Sequence, residues 1–334
     1  MKKKVLLVSD AWKPQVNGVV TTLDNVAKES KKKGAKTLVF HPGRCRTRFR
    51  LPFYPEIEIG IPNPILAYKL IKKKNWDGIH ISSPEAPVGF AFSSVCSILK
   101  KDFNTSYHTK LPEFIKSRFR PFPVELGYAW MKWCHRKSSK ILVTTESIKE
   151  DLDRRKFGNT EVWSRGVDRS LFYPIEKPKN NTPILVCVSR VSKEKNLEDF
   201  FNLDLSYRKI MVGDGPELES YKKKYPNVEF VGKLTGKALA WYYQIADVFI
   251  FPSRLDTFGV VIIEALACGT PVVAYPEPGP VDIIKNGVSG FLVDDLSQGI
   301  SRALYLDRNA VYEESLKWSW DRAAVIFLNG MNLG

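Results

Sequence analysis

The sequence predicts an α/β protein with two doubly wound parallel-sheet domains. An apolar strand at Lys4–Ser9, a turn that contains Gly18 and a helix at Val19–Ala27 form the first unit of such a sheet. The same alternation restarts at Ile184–Ser189, after a segment rich in proline, asparagine and lysine at Glu176–Pro183. A length of 334 residues and an apolar content of 44% suffice for two domains, each with its own core.

Apolar runs bounded by turn residues predict the remaining elements. In the first half, strands are expected at residues 37–40, 79–81 and 140–144, and helices at 84–100, 124–137 and 148–156, the last capped by Ser147. In the second half, strands are expected at about Met211 and at 228–232, 248–251 and 272–274. Helices are expected there at 235–246, 260–267, 297–306 and 318–328.

The most informative stretch runs from Phe251 to Ala274 and predicts strand, turn, helix, turn and strand. Its helix is apolar on most sides, so the carboxylate of Glu264 needs hydrogen-bond donors, which the hydroxyls of a ribose or sugar supply. Asp256 precedes it by eight residues, and the amides of Thr257–Val260 form an open helix N-terminus, where an anion is favoured. These features suit a sugar nucleotide. An ordinary turn–helix–turn with a satisfied glutamate explains the same pattern.

Positive charge is confined to the first half of the chain. Residues 1–170 carry 33 Lys and Arg against 16 Asp and Glu, whereas the remainder carries 18 against 20. Such a face attracts anionic lipid, nucleic acid or acidic substrates, although a lysine-rich solvated surface has the same composition. Residues 44–54 alternate arginines beside aromatic residues, a pattern that suits lipid headgroups or one face of an edge ribbon. Residues 116–123 form a second basic and aromatic segment, expected to be a loop.

Cysteine usage and hydropathy indicate a cytoplasmic protein. The five cysteines are scattered and odd in number, which fits reduced thiols, and no Cys/His cluster has metal-ligand spacing. The first residues, three lysines and then four apolar residues before Ser9, predict a strand rather than a signal peptide. The longest charge-free apolar stretch, at residues 86–99, is shorter than the about 20 residues that span a bilayer. We therefore expect peripheral binding at the inner face of the cell membrane.

Several motifs, in the family's order, resemble the signature of the retaining glycosyltransferases of family four. Two acids stand as Asp256-x7-Glu264, within Ser-Arg-x-Asp-Thr-Phe-Gly and Glu-Ala-Leu-Ala-Cys-Gly-Thr-Pro-Val-Val. Most members have Glu at the first of these positions. Asp there is similar to a subgroup of bacterial mannosyl-, glucuronosyl- and sulfoquinovosyl-type lipid transferases. The other matching motifs are Ser-Tyr-His108-Thr, Arg165-Gly-Val-Asp168 and Arg190-x4-Lys195-Asn196.

This resemblance covers nearly the whole chain and implies the GT-B fold, in which two doubly wound domains face each other across a cleft. The domains would be residues 1–172, on the acceptor and membrane side, and residues 183–317, which bind the nucleotide-sugar donor. A C-terminal helix at about 318–334 would return to the first domain.

The resemblance also implies roles for individual residues. As catalytic residues, His108 and Asp256 contact the donor sugar, and Arg190 and Lys195 stabilise charge on the departing diphosphate. Glu264 holds the ribose. The nucleotide-sugar site then comprises Gly18, Arg190, Lys195, Lys233, Leu234, Thr257, Phe258, Gly259, Val260 and Glu264.

The implied activity is transfer of a sugar, with retention, from UDP-glucose or UDP-glucuronate to a membrane lipid such as diacylglycerol. A GDP-mannose-dependent α-mannosyltransferase acting on a lipid or saccharide is the alternative. No nucleophile is evident, so a front-face mechanism without metal or other cofactor is expected. A non-catalytic, polyanion-binding nucleotide-sugar protein is an alternative of another class. No nucleic-acid partner is expected, because a nucleic-acid binder explains the charge but not the paired acids.

The membrane partner follows from the two basic segments. Phe53, Tyr54 and Phe122 are expected to enter the headgroup layer. The expected contacts with the anionic surface are Arg44, Arg46, Arg48, Arg50, Lys116, Arg118 and Arg120.

Overall fold

The computed structural model describes residues 3–15, 17–51, 54–118, 122–178 and 181–333. Two compact units make up the chain: unit 1 comprises residues 1–165 and 320–334, and unit 2 comprises residues 166–319. Each unit is built on a six-stranded parallel sheet, which confirms the predicted α/β class with two doubly wound halves.

The elements alternate along the chain as the sequence predicts. The strands are β1 (Lys3–Val8), β2 (Ala35–Phe40), β3 (Thr47–Leu51), β4 (Tyr54–Ile61), β5 (Gly78–Ile81), β6 (Asn104–Ser106), β7 (Ile141–Val143), β8 (Thr160–Val162), β9 (Ile184–Val188), β10 (Arg208–Val212), β11 (Val228–Gly232), β12 (Val248–Phe251), β13 (Val272–Ala274) and β14 (Gly290–Leu292). The helices are α1 (Gly18–Lys32), α2 (Pro64–Lys73), α3 (Pro87–Ile98), α4 (Leu111–Arg118), α5 (Val124–His135), α6 (Glu146–Arg154), α7 (Glu198–Phe201), α8 (Leu218–Lys224), α9 (Gly236–Ile245), α10 (Val260–Ala267), α11 (Pro280–Ile283), α12 (Leu296–Ala303), α13 (Arg308–Ser315) and α14 (Trp320–Asn329).

Unit 1 has the strand order β2-β1-β5-β6-β7-β8, and β3 and β4 form a separate antiparallel ribbon. Side chains of β1 alternate between the two sides of the sheet. Val5 and Leu7 pack with α1 and α14, whereas Leu6 and Val8 pack with α2 and α3. The helices α5 and α6 pack on the same side as α2 and α3, because Ile141 and Val143 of β7 meet them while Leu142 faces the side of α1 and α14.

Unit 2 has the strand order β11-β10-β9-β12-β13-β14, and β9, β12 and β13 are buried on both faces. One side of its core gathers α9, α10 and α13, and the other gathers α7, α8 and α12. The helix α10 contributes Ile262, Ile263 and Leu266 to the first of these, all fully buried. Continuous apolar runs such as Val248–Phe251 are typical of parallel strands covered by helices on both faces.

One predicted helix cap and one predicted loop need correction. The capping residue of α6 is Thr145, not Ser147, because the Thr145 hydroxyl accepts a hydrogen bond from the amide of Ile148. The helix α4 occupies residues 116–118 of the loop expected at residues 116–123. Its second residue is Pro112, a position that needs no amide donor, so the proline favours a helix start there. Within the part of the chain that the structure describes, no helix is long and apolar enough to cross a membrane.

Candidate active site

The predicted donor residues converge on one edge of the unit 2 sheet. The strand order reverses between β9 and β12, which pair through Leu185 with Val248 and Val186 with Phe249. Ligands of doubly wound sheets bind beyond the carboxyl ends of the strands at such a reversal. The loop after β9 carries the predicted clamp cations, and the loop after β12 carries Asp256 and leads into α10.

An ion pair joins the two loops. The Nζ atom of Lys195 lies 2.7 Å from Oδ1 and 2.8 Å from Oδ2 of Asp256. Burial acts to raise the pKa of Asp256, but the ammonium of Lys195 outweighs it and holds the pKa below its usual value. Asp256 is therefore an anion at neutral pH, and the charge of Lys195 is balanced before any ligand binds. The two side chains stand 61 residues apart in the chain, so the sequence did not predict this pairing.

Asn196 fixes the loop that presents Lys195. Its backbone is left-handed, with φ of 54°, and an asparagine tolerates this conformation better than most residues. The Nδ2 atom of Asn196 donates to Asp199 at 2.5 Å and to the carbonyl of Pro252 at 3.4 Å. The hydroxyl of Tyr275 donates to the same carboxylate of Asp199. The bond to Pro252 joins the loop after β9 to the loop after β12, and the bond from Tyr275 joins Asp199 to the end of β13.

Three further sequence-predicted residues, Arg190, Lys233 and Leu234, lie just beyond the ends of β9 and β11. Arg190 is half-buried in the loop after β9, and its carbonyl accepts a hydrogen bond from the hydroxyl of Ser189 at 2.7 Å. Lys233 is exposed directly after β11, and the neighbouring Leu234 packs against the core of unit 2. The phosphate role of Arg190 and the base-binding role of Lys233 and Leu234 remain predictions.

The N-terminus of α10 presents backbone rather than side chains. The side chains of Thr257 and Phe258 are buried, and the ring of Phe258 packs edge-on against Trp318 with centroids 5.3 Å apart. Gly259 caps the helix with φ of 89°, and a Cβ there would lie 2.9 Å from the Cδ1 atom of Ile262. Glycine is therefore required at this turn. The anion contact predicted at this turn therefore concerns its backbone amides and not the side chains of Thr257 and Phe258.

Glu264 is bonded to a tyrosine that sequence analysis missed. The hydroxyl of Tyr243, on α9, donates to Oε2 of Glu264 at 2.9 Å. Burial raises the pKa of Glu264 to about 7, and the bond from Tyr243 opposes this rise. Glu264 is half-buried, so it combines a protected environment with a surface open to solvent. The run of aromatic residues in α9 was the available signal, but nothing in the sequence indicates which of them meets Glu264.

In unit 1, His108 follows β6 and has both ring nitrogens in hydrogen bonds. Its Nε2 lies 2.7 Å from the Oγ of Ser106, and its Nδ1 lies 3.3 Å from a guanidinium nitrogen of Arg165. Because arginine only donates, Nδ1 accepts and the neutral ring carries its proton on Nε2. Burial, and then the charge of Arg165, hold the pKa of His108 well below its usual value. His108 is thus a neutral imidazole of defined tautomer.

The hydrogen bonds continue beneath the strand ends. The Oγ atom of Ser106 lies 3.0 Å from Nε2 of His80, whose Nδ1 lies 2.7 Å from the amide oxygen of Asn104. An amide oxygen accepts, so His80 donates from Nδ1 and accepts from Ser106 at Nε2. Burial lowers the pKa of His80 to about 4, which keeps it neutral. The hydroxyl of Ser106 also donates to the backbone carbonyl of Ser82 at 3.3 Å, so its one proton is shared between that carbonyl and Nε2 of His80.

Two family models together match residues 16–304. The model described as "Glycosyltransferase Family 4" matches residues 16–171, and the model described as "Glycosyl transferases group 1" matches residues 169–304. The chain belongs to glycosyltransferase family four. Its fold is GT-B, as the resemblance implied. The chain is therefore an enzyme. The two alternatives without catalysis, a nucleotide-sugar binding protein and a nucleic-acid binder, do not apply.

Relatives of this glycosyltransferase span most of its length. A GDP-mannose-dependent alpha-mannosyltransferase of Corynebacterium glutamicum is 28% identical over 87% of this chain and 76% of the relative. A sulfoquinovosyl transferase of Arabidopsis thaliana is 28% identical over 93% and 66%. An alpha-monoglucosyldiacylglycerol synthase of Streptococcus pneumoniae is 25% identical over 90% and 78%. Sucrose-phosphate synthase from Thermosynechococcus elongatus superposes with a TM-score of 0.78 at 20% identity, covering 98% of each chain, which shows the shared fold.

Gly18 begins α1 in the glycosyltransferase, as predicted for the loop after β1. The side chain of Asn17 caps this helix by accepting a hydrogen bond from the amide of Val20 at 3.0 Å. One of the amides that an anion would use is therefore already bonded. The diphosphate contact of Gly18 stays a prediction.

Asp10 is a second residue that sequence analysis did not single out. It follows β1, and its two oxygens each accept a hydrogen bond at 2.8 Å, from the amides of Val88 and Gly89 at the start of α3. Burial raises the pKa of Asp10 to about 6 against these two bonds. Nearby, burial raises the pKa of Glu85 to about 8, and Glu85 lies 3.7 Å from the ring of His135. An acid directly after a strand end was the available signal for Asp10.

Two of the four alternating arginines, Arg48 and Arg50, lie on β3 of the antiparallel ribbon, with Arg50 opposite Glu58. Arg44 and Arg46 precede this strand. Side chains on a strand alternate between faces, so Arg48 and Arg50 share one face and Phe49 takes the other. Arg48 also approaches Glu58, with 3.6 Å between Nε and Oε1. Exposed side chains among the expected membrane contacts are those of Arg44, Arg46, Arg48, Arg50 and Lys116.

The second basic segment is a helix rather than the expected loop as far as Arg118. Lys116 projects from α4, and Phe122 is half-buried against α5, where a Cβ added at Gly127 would lie 3.1 Å from its ring. Phe53 and Arg120, and the side chains of Tyr54 and Arg118, lie outside the described residues.

Proposed function

We propose that this glycosyltransferase transfers a hexose, with retention, from a UDP-linked donor to a membrane lipid. UDP-glucose and UDP-glucuronate are the favoured donors, and diacylglycerol is the favoured acceptor. The observation that carries the donor part is the arrangement at the sheet reversal of unit 2. There, a lysine–aspartate pair, a helix N-terminus and a tyrosine-bonded glutamate surround the carboxyl ends of β9 and β12.

The leaving diphosphate would be stabilised by fixed positive groups. Arg190 and Lys195 stand on one loop, and the amides at the start of α10 stand on the next. Charge accumulates on the diphosphate as the sugar departs, so donors already aimed at it stabilise the transition state more than the ground state. Removing one such donor typically costs about 10²–10³ in rate. Glu264 would accept hydrogen bonds from the ribose hydroxyls, held in place by Tyr243.

The sugar would react at the front face, without a protein nucleophile or a metal ion. Both carboxylate oxygens of Asp256 are bonded to Lys195, which suits a residue that orients sugar hydroxyls better than one that attacks carbon. His108, kept neutral and with both nitrogens engaged, is suited to contact the sugar without transferring a proton. Attack by the acceptor from the side of the departing phosphate would preserve the anomeric configuration.

The lipid acceptor is supported by two relatives and by charge. The sulfoquinovosyl transferase and the alpha-monoglucosyldiacylglycerol synthase carry lipid chemistry in the names given to them. The first 170 residues hold the whole basic excess of the chain. Attraction to an anionic inner leaflet contributes about 1 kcal/mol per basic residue near the surface. Peripheral binding at that leaflet, through the arginines of residues 44–50 and through Lys116, would bring enzyme and acceptor to one surface.

A second candidate is GDP-mannose-dependent α-mannosyl transfer to a lipid or saccharide. The Corynebacterium glutamicum relative, which carries this activity in its name, favours it. The two candidates differ in the base, so a ligand test separates them directly.

The experiment has two stages. Thermal unfolding is first measured with UDP, GDP and their glucose, glucuronate and mannose conjugates, because a ligand raises the melting temperature by mass action. The donor with the largest shift is then incubated with vesicles that contain diacylglycerol, and the lipid product is isolated and its anomeric configuration read by NMR. We expect an α-linked glycolipid. Stabilisation by GDP-mannose alone would replace the first candidate by the second. Stabilisation by no nucleotide would refute the assignment of the donor site.

A further inference from the structure

Unit 1 has two unlike sides. On one side of its sheet lie α1 and α14, and on the other lie α2, α3, α5 and α6. The β3–β4 ribbon belongs to the second side, because a Cβ added at Gly60 would touch Cys45, and Cys45 packs in the core beneath α2 and α3. We refer to this second side, with the ribbon, as the α2–α5 side.

Exposed apolar residues are concentrated on the α2–α5 side. Among the described residues of unit 1, Val325 on α14 is the one large apolar side chain exposed on the opposite side. Monomeric proteins seldom gather exposed apolar residues on one side without a partner. The exposed residues of the α2–α5 side are Phe49, Ile61, Ile65, Leu66, Tyr68, Ile98, Leu126, Trp130 and Trp133.

Three of the aromatic rings on this side stack. Phe90 of α3 lies 5.6 Å from Trp130 and 5.8 Å from Trp133 of α5, and the two indoles are 5.3 Å apart with 17° between their planes. Arg136 covers the ring of Trp133 at 3.8 Å. Trp130 and Trp133 nevertheless remain 46% and 44% exposed, and Leu126, one turn earlier on the same helix, is 68% exposed. The stack forms a rigid, open apolar ridge with a cation at one end.

The charges on α2, α3 and α5 match an anionic surface. These three helices carry four lysines and one acid, Glu125, and this acid pairs with Arg155. The helix α6, on the same side, carries four acids and two cations, so the proposed contact is confined to the other three helices and the ribbon. Further cations follow directly at the ends of the three helices, at Lys74, Lys100, Arg136 and Lys137. Apolar residues spread over three helices and a ribbon, with lysines between them, suit a broad and fluid surface. Indole rings, apolar with one polar N–H, are favoured at the lipid headgroup level.

We infer that the α2–α5 side of unit 1 docks on an anionic bilayer, with Trp130 and Trp133 inserted in the headgroup layer. This inference deepens the proposed function, on which its link to a lipid acceptor rests, and it adds a contact that the basic segments alone do not provide. Binding through arginines alone is lost at high salt, because screening weakens attraction between exposed charges. Insertion of two indoles leaves a salt-resistant fraction, because it removes apolar surface from water.

The test is co-sedimentation with vesicles of phosphatidylcholine alone and with about 30% phosphatidylglycerol, at low and high salt. The double variant Trp130→Ala/Trp133→Ala is compared with the wild type and with Trp241→Ala. Trp241 is a matched control, since it lies on α9 of unit 2 and is 48% exposed. We expect the double variant to partition at least about tenfold less into anionic vesicles and to lose the salt-resistant fraction. Trp241→Ala should partition like the wild type.

A second variant guards against misfolding. Leu126→Glu changes the most exposed apolar residue of α5 and adds a negative charge to the side, so it should weaken docking while circular dichroism and melting temperature stay unchanged. Brominated lipid should quench the tryptophan fluorescence of the wild type. This quenching should be less than half as large in the double variant and should be retained in Trp241→Ala. Equal partitioning and equal quenching in all variants would overturn the inference. A concentration-dependent dimer that the double variant abolishes, with unchanged vesicle binding, would assign this side to a second copy instead.

Transfer assays separate this inference from the proposed function. Both variants should retain transfer to a short-chain diacylglycerol in solution and lose transfer to vesicle-embedded diacylglycerol. Wild-type docking without transfer to any lipid would refute the proposed acceptor and leave the docking side intact. Transfer to vesicles that is unaffected by either variant would refute the docking side and leave the acceptor intact.

Discussion

Tyr243→Phe is expected to shift the pH dependence of nucleotide binding. The substitution removes the hydroxyl that donates to Glu264 and keeps the ring that packs in the core of unit 2. The hydroxyl of Thr270 donates to the backbone carbonyl of Tyr243, so the substitution of the side chain leaves this hydrogen bond in place. Because only the carboxylate accepts from both ribose hydroxyls, nucleotide affinity should rise as pH rises through the pKa of Glu264.

The magnitude follows from the pKa of Glu264, which burial raises to about 7. A hydrogen bond to a charged group contributes about 1.5–3 kcal/mol, and one pKa unit corresponds to about 1.4 kcal/mol. Losing the bond from Tyr243 should therefore raise the pKa by about one unit or more. At pH 7 the ionised fraction then falls from about one half to about one tenth, and affinity falls about fivefold. At pH 9 most of the loss should disappear.

The assay is calorimetric titration of nucleotide between about pH 6 and pH 9, a range that brackets the pKa of the Glu264 carboxyl. Tyr242→Phe is the control, a half-buried neighbour on the same helix. Burial raises the pKa of the adjacent Cys268 to about 12, so this thiol does not titrate in the range. An unchanged pH midpoint in Tyr243→Phe would refute the assigned coupling. A loss of affinity that is equal at every pH would show that the tyrosine acts only through packing.

Three further outcomes are expected from the site. Arg190→Ala or Lys195→Ala should lower turnover at least about tenfold while the melting temperature stays close to the wild type, and wild-type turnover in both would remove the clamp role. Glu264→Gln should weaken nucleotide binding, and deoxyribose nucleotides should lose affinity for the wild type to a similar extent; unchanged affinity in both measurements would make Glu264 structural. Ser106→Ala should lower kcat through misorientation of His108, because the Nε2–H of the imidazole loses its acceptor, and an unchanged kcat would contradict this positioning role.

The sequence predicted the elements whose local patterns are strong. The helix expected at residues 260–267 is α10 itself, because a glycine start, an apolar body and a glycine after its end are all encoded within a few positions. The same holds for β12, whose bounds match the predicted strand.

What the sequence could not supply is the pairing of distant side chains. Lys195 meets Asp256 only because β9 and β12 are neighbours in the sheet, and a crossover separates them in the chain. His80 reaches Ser106 for the same reason, across the neighbouring strands β5 and β6. The sequence motifs identified His108, Lys195 and Asp256 as separate candidate residues. Only strand order brings each of them to its partner, and strand order is a property of the whole fold.

The Lys195–Asp256 pair has a consequence for the end of the catalytic cycle. A lysine without a counterion would hold a doubly charged product tightly, and slow product departure often limits an enzyme's turnover. Here a carboxylate already accepts at 2.7 and 2.8 Å from the ammonium, so the spent nucleoside diphosphate must compete with an internal anion. The carboxylate of Asp256 thereby competes with the product for Lys195 and favours its release. Competitive inhibition by nucleoside diphosphate measures this directly: it should strengthen in Asp256→Asn, and unchanged inhibition would exclude the effect.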